Sequence, residues 1–208
     1  MCIKNSNTAY RSLVVVLFTL AISYCISSSC MAMNFSSQYA VGLPINSKNF
    51  LTYKSLVYKF KIQYPSGWEK IEFSREVAEG NRKIIVNFVS PLESSSDTFR
   101  EYFIIEAGPV KSPDGSRVTS TINTYINSLK SLPNFKLIES NMVLYAGSPA
   151  QKLVYSYYNN PEVGITKTMD MLVTKNDKLY VLSFNSDAVK YNNYLQTVQK
   201  MLNSFRFS

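Results

Sequence analysis

The stretch Val57-Tyr58-Lys59-Phe60-Lys61-Ile62-Gln63-Tyr64 alternates apolar and polar residues. Successive side chains of a strand point to opposite faces, so Tyr58, Phe60, Ile62 and Tyr64 share one face and the lysines the other. That is the pattern of a half-buried strand. Pro65-Ser66-Gly67 ends the run in a turn, and Trp68 leads into a short segment, Lys70 to Phe73. Further along, Arg82 to Ser90, Tyr102 to Ala107, Phe135 to Tyr145, Ala150 to Tyr158, Ile165 to Thr174 and Leu179 to Asn185 are rich in β-branched and aromatic residues and read as strands. Gly147-Ser148-Pro149, Asn159-Asn160-Pro161 and Asn176-Asp177 leave no room for crossover helices, so consecutive strands should pair antiparallel.

Two segments change to a helical period. Val118, Ile122, Tyr125, Ile126 and Leu129 recur at three- and four-residue spacing, with Thr119 or Ser120 available as a cap and Pro133 as a stop. Tyr191, Tyr194, Leu195, Val198, Met201, Leu202 and Phe205 form a second stripe, with Ser186 or Asp187 suited to its N-cap. Each helix is apolar on one side only and should lie across a sheet. The expected fold class is α+β, a central antiparallel β-sheet with helices packed on its faces.

Composition narrows the chemistry. Of 208 residues, 46% are hydrophobic, enough for a packed core, and none is histidine. Cys2, Cys25 and Cys30 all fall within the first thirty residues. The body therefore excludes Ser-His-Asp and Cys-His nucleophilic sites, Cys/His zinc sites and a disulfide framework. It also lacks GxGxxG and GxxxxGK[ST] motifs and any helix with a clustered basic stripe, so no nucleic-acid partner is expected.

Lys4 and Arg11 precede an apolar stretch from Leu13 to Ile22 that extends with small polar breaks through Tyr24, Cys25 and Ile26 before Ser27, Ser28 and Ser29, with Cys30 and Ala32 as small residues ahead of a cleavage position. This is the layout of a secretory signal, with an uncleaved N-terminal anchor as the competing reading. Residues 1–32 are thus assigned to a signal peptide or anchor, 33–50 to a linker and 51–208 to the folded domain. Cys30 is a candidate for lipid attachment, although Ser27 stands where a lipoprotein signal usually has an aliphatic residue. Asn34-Phe35-Ser36 is a glycosylation triplet or an ordinary piece of linker. Cleavage after Ala32 would lower the formal charge from +8 to +6, because two basic residues leave and 20 face 14 acidic ones. The place expected is extracytoplasmic: the outer face of the cytoplasmic membrane, secreted or tethered. A diffusely basic exported chain suits an anionic membrane surface.

Several strings, in order, resemble one family. Tyr58 to Trp68, YKFKIQYPSGW, resembles the opening of the PsbP-like domain; Val89-Ser90-Pro91 with Asp97-Thr98-Phe99 resembles its next strand and loop. Leu144 to Tyr155, LYAGSPAQKLVY, resembles its hairpin, and Leu179 to Phe184 with Leu202 to Arg206 resembles its closing strand and helix. The resemblance implies an α/β/α sandwich, as also seen in a Ran-binding nuclear-import cofactor. It implies a non-enzymatic assembly or stabilisation role; photosynthetic members sit on the lumenal side of photosystem II, where they help retain calcium and chloride. The leader and short linker look like those of an exported prokaryotic member outside photosynthesis. Without histidine, no imidazole-based metal site carries over.

The candidate residues are few. Trp68, after its turn, is either an anchor for a protein partner or a core residue beside a strand. Glu93, Asp97 and Glu101 bracket a serine-rich loop and offer oxygens to calcium, or they are solvated carboxylates. No cofactor is otherwise expected. Glu106 and Asp170 are a conceivable acid and base, if the fold brings them together. The leading expectation is a non-catalytic exported domain acting through an unidentified protein partner. A small-ligand or calcium/manganese-binding module is the alternative, and a carboxylate-only hydrolase ranks last.

Overall fold

The computed structural model describes residues 49–73, 78–79, 82–110 and 116–208. The leader, Cys30, the triplet at Asn34 and nearly all of the linker lie outside the described residues. The elements are β1 (Phe50–Ser55), β2 (Phe60–Pro65), β3 (Glu69–Glu72), β4 (Ala78–Glu79), β5 (Arg82–Val89), β6 (Tyr102–Pro109), α1 (Ser116–Leu129), β7 (Lys136–Tyr145), β8 (Ser148–Tyr158), β9 (Ile165–Lys175), β10 (Lys178–Asp187), α2 (Tyr191–Ser204) and β11 (Arg206–Phe207).

The strands form two antiparallel sheets where one was expected. A small sheet has the order β1-β2-β11; the large sheet runs β3-β5-β6-β10-β9-β8-β7, with β4 also paired to β5. The strand read from Val57 opens only at Phe60, because residues 56–59 make a hairpin turn with Lys59 at φ 53°. That turn has no Gly, Pro, Asn or Asp, and the alternation of β2 reaches back into it to Tyr58, so no turn signal marks it. The two-residue loops elsewhere carry ordinary turn chemistry. Ala146-Gly147 and Asn176-Asp177 each have both central residues at positive φ, the geometry whose twist matches a tight hairpin.

Alternation along β8, β9 and β10 divides the core between the two faces of the large sheet. Leu153, Tyr155, Leu172, Leu179 and Val181 cluster with Tyr125 and Leu129 of α1. Val154, Met169, Met171, Val173, Leu182 and Phe184 cluster instead with Phe60 and Ile62 of the small sheet, with Val198 and Met201 of α2, and with Phe205. Each of the fully buried large side chains here contributes about 1.5–3 kcal/mol through lost water contact.

The caps differ from expectation. Helix α1 already begins at Ser116, which leaves Thr119 and Ser120 inside it. The N-cap position of α2 is Lys190, without a side-chain cap. Ser186 and Asp187 still belong to β10; Asp187 Oδ1 accepts the Val189 N–H and so closes the strand-to-helix turn.

Candidate functional site

The loop between β5 and β6 holds Glu93 and Asp97, and Glu101 stands just before β6. The fold gathers all three near Lys190, at the start of α2. Lys190 Nζ lies 2.8 Å from Asp97 Oδ1 and 3.0 Å from Glu93 Oε2. The Tyr194 hydroxyl donates to Glu93 Oε1 at 2.6 Å. Asp97 also accepts the backbone N–H groups of Glu93 and Phe99, which folds the loop around it. Glu101 is fully buried and accepts from the Ser90 and Ser186 hydroxyls.

Protonation follows from these contacts. Burial pushes Asp97 up, but Lys190 and the two backbone N–H groups outweigh it and hold the carboxyl below its ordinary range. Glu101 is raised, chiefly by burial. Lys190 is raised despite burial, because Asp97 and Glu93 favour its charged form. The carboxylates considered for calcium thus gather around an ammonium group. Among the described residues, no group of three His, Cys, Asp or Glu is disposed to hold a metal ion. Trp68 is 7% exposed and meets the Tyr194 ring edge-on at 6.1 Å, so it packs in the core behind this cluster.

A second polar group lies on the opposite face of the sheet, beneath α1. The Tyr125 hydroxyl donates to Asp170 Oδ2 at 2.6 Å. Ser183 is the cross-strand neighbour of Asp170, and Tyr155 lies beside it. Asp170 Oδ1 nonetheless has no formed hydrogen bond, and neither has Asn87 Oδ1. Burial raises Asp170; the hydroxyls of Ser183, Tyr125 and Tyr155 only partly offset it. Glu106 pairs with Arg82 at 3.1 Å, and the Arg82 guanidinium lies 4.8 Å from the Tyr125 ring centre. Glu106 and Asp170 therefore do share a face, but β10 separates them and each has its own partner. Asp170 is closed to solvent, which leaves no substrate position between them. The sequence carried a signal for this group: a carboxylate and serine standing at apolar strand positions.

One accessible feature among the described residues is a sheet edge. Strand β7 ends the large sheet and runs for ten residues, and among the described residues only β8 pairs with it. Register places Leu137, Met142 and Leu144 opposite Tyr155, Gln151 and Pro149, on the α1 face. Met142 and Leu144 are 65% and 80% exposed there. A family model described as PsbP-like protein matches residues 43–207.

The chain belongs to the PsbP-like protein family.

Solved structures that this chain resembles at low identity include two with the PsbP-like fold. Cyanobacterial PsbP (CyanoP) from Synechocystis sp. PCC 6803 is 14% identical with a TM-score of 0.55, covering 87% of this chain and 98% of its own. LpqN of Mycobacterium tuberculosis, involved in cell envelope biogenesis, is 13% identical with a TM-score of 0.51, covering 72% of this chain and 83% of its own. No curated protein matches by sequence. The first resemblance in the sequence, from Tyr58 to Trp68, spans the β1–β2 turn, strand β2 and the buried tryptophan.

Proposed function

We propose that this PsbP-like chain, layered as an α/β/α sandwich, is a non-catalytic exported binding domain. It serves assembly or stabilisation at the outer face of the membrane through a protein partner. The observation that carries this reading is the β7 edge. An open edge offers a row of backbone donors and acceptors to a partner strand, and the neighbouring apolar side chains supply specificity. Met142 and Leu144 lie in such a row, while Glu93 and Asp97 are already engaged with Lys190. The structural likeness to a protein of cell envelope biogenesis supports an extracytoplasmic place. No helix among the described residues is long and apolar enough to cross a membrane.

A photo-crosslinking amino acid at position 144, in cells expressing the full chain, tests the reading. A single discrete heterologous adduct, lost when the crosslinker is moved to exposed Lys200, is expected. Failure to form any adduct at 144, in a chain that is monomeric in solution, would overturn it.

A further inference from the structure

We propose that the β1–β2 hairpin is a membrane-docking element: Leu56 and Val57 enter the interface of an anionic bilayer while Lys54, Lys61 and Arg206 meet its headgroups. The proposal deepens the reading above, on which it rests only for placing the chain beside a membrane.

The first observation is the apex of the hairpin. Leu56 and Val57 are 75% and 82% exposed. Scattered single apolar residues on a surface are ordinary. Here two are adjacent at a turn tip, where Gly, Asn, Asp or Pro would normally stand. The tip is also held in place. The Tyr58 N–H donates to Ser55 Oγ at 3.2 Å, the Tyr180 hydroxyl donates to the Tyr58 carbonyl at 3.0 Å, and the Ser208 N–H donates to the Lys59 carbonyl at 2.8 Å. A braced tip loses little conformational freedom when it inserts.

The second observation is charge. Lys54 pairs directly with Lys61 across the β1–β2 ladder, and Lys61 pairs with Arg206 across the β2–β11 ladder. All three are exposed, on the side away from buried Phe60 and Ile62. Like charges set opposite one another destabilise a sheet, and among the described residues no acidic side chain forms an ion pair with this row. Every one of the 14 acidic residues lies at or beyond Glu69, so no carboxylate side chain occurs between Asn49 and Trp68. The basic excess is thus less evenly spread than the composition alone suggested: residues 69–208 have 16 basic and 14 acidic residues, a surplus of only two. An open depression of about 580 Å³, lined by Lys54, Leu56, Lys59, Lys61 and Phe207, adjoins the tip and has room for a phosphate headgroup.

Apolar insertion and cationic attraction act together at a membrane surface, each lysine or arginine strengthening partition about fivefold. The test places tryptophan at the tip of the full chain, as Leu56→Trp. Emission is read on vesicles of equimolar phosphatidylglycerol and phosphatidylcholine, and on phosphatidylcholine alone, each with brominated acyl chains. The wild-type chain, whose Trp68 is buried, is the reference. On anionic vesicles the Leu56→Trp signal should blue-shift and be quenched at least twice as strongly as on neutral ones. Adding Lys54→Gln, Lys61→Gln and Arg206→Gln should remove most of that quenching, as should high salt. Aqueous emission from vesicle-bound chain, equal quenching on neutral lipid, or unchanged quenching after the triple substitution would each overturn the proposal. Val57→Asp should leave crosslinking at position 144 intact, which separates failure of this proposal from failure of the protein-partner reading.

Discussion

Lys190 Nζ lies 2.8 Å from Asp97 Oδ1 although the two residues are 93 apart in sequence. The contact ties the β5–β6 loop to the N-cap of α2. The side chain of Asp97 is only 4% exposed and that of Lys190 23%. A carboxylate so placed depends on its counter-ion.

Lys190→Met should destabilise the chain by about 2 kcal/mol, less than the roughly 3–5 kcal/mol lost on breaking a fully buried pair, because Lys190 keeps some contact with water. Urea unfolding measures this. With the ammonium gone, Glu93, Asp97 and Glu101 remain together, so millimolar calcium should raise the melting temperature of Lys190→Met more than that of the wild type. Equal shifts in the two chains would separate this cluster from calcium binding.

Asp170 and Asp97 should shape the pH dependence in opposite directions. The folded pKa of Asp170 is raised from the ordinary 3.8, mainly by burial. The folded state then holds a proton that the unfolded state releases, and the associated stability is present below 3.8 and lost as pH rises through the folded value. Asp170→Asn keeps an acceptor for Tyr125 and lacks this loss. Unfolding free energies measured against pH should favour the variant increasingly toward neutrality. Asp97, with its depressed value, contributes stability above 3.8 that is lost as pH falls through its folded value. Asp97→Asn should therefore be most harmful near neutrality and least harmful in acid.

Met142→Lys together with Leu144→Lys should remove partner capture while changing stability by less than about 0.5 kcal/mol for each exposed site. Parallel thermal melts and crosslinking separate the two effects. Loss of folding in the double variant would mean that the edge is structural.

Phe60→Ala should cost about 3–5 kcal/mol, because a fully buried ring is removed from a packed aromatic cluster. Its ring lies 5.3 Å from that of Phe205 and 5.9 Å from that of Tyr53. Guanidinium unfolding followed by Trp68 emission reports the change. That emission should itself start blue-shifted and move red on unfolding.

The strands, the two helices and the antiparallel hairpins were legible in the sequence because each is specified locally. Alternation at Phe60, Ile62 and Tyr64 and the stripe from Tyr191 to Phe205 follow directly from which side chains must leave water. Asn176-Asp177 announced its turn through residues that tolerate positive φ. Leu56 to Lys59 announced nothing, because no residue there is a turn former and the alternation of β2 already begins at Tyr58. The division into two sheets was hidden for a related reason: strand pattern reports a buried face and not which strand lies alongside.

What the sequence by itself determined is the PsbP-like body and the absence of imidazole and thiol from it, since both depend on residue type and short spacing. Only the tertiary structure decided that Glu93, Asp97 and Glu101 surround Lys190, that Trp68 is covered, and that Lys54, Lys61 and Arg206 stand in one row. Those relationships join residues distant along the chain. Electrostatic environment depends on distance through space, which no local pattern encodes.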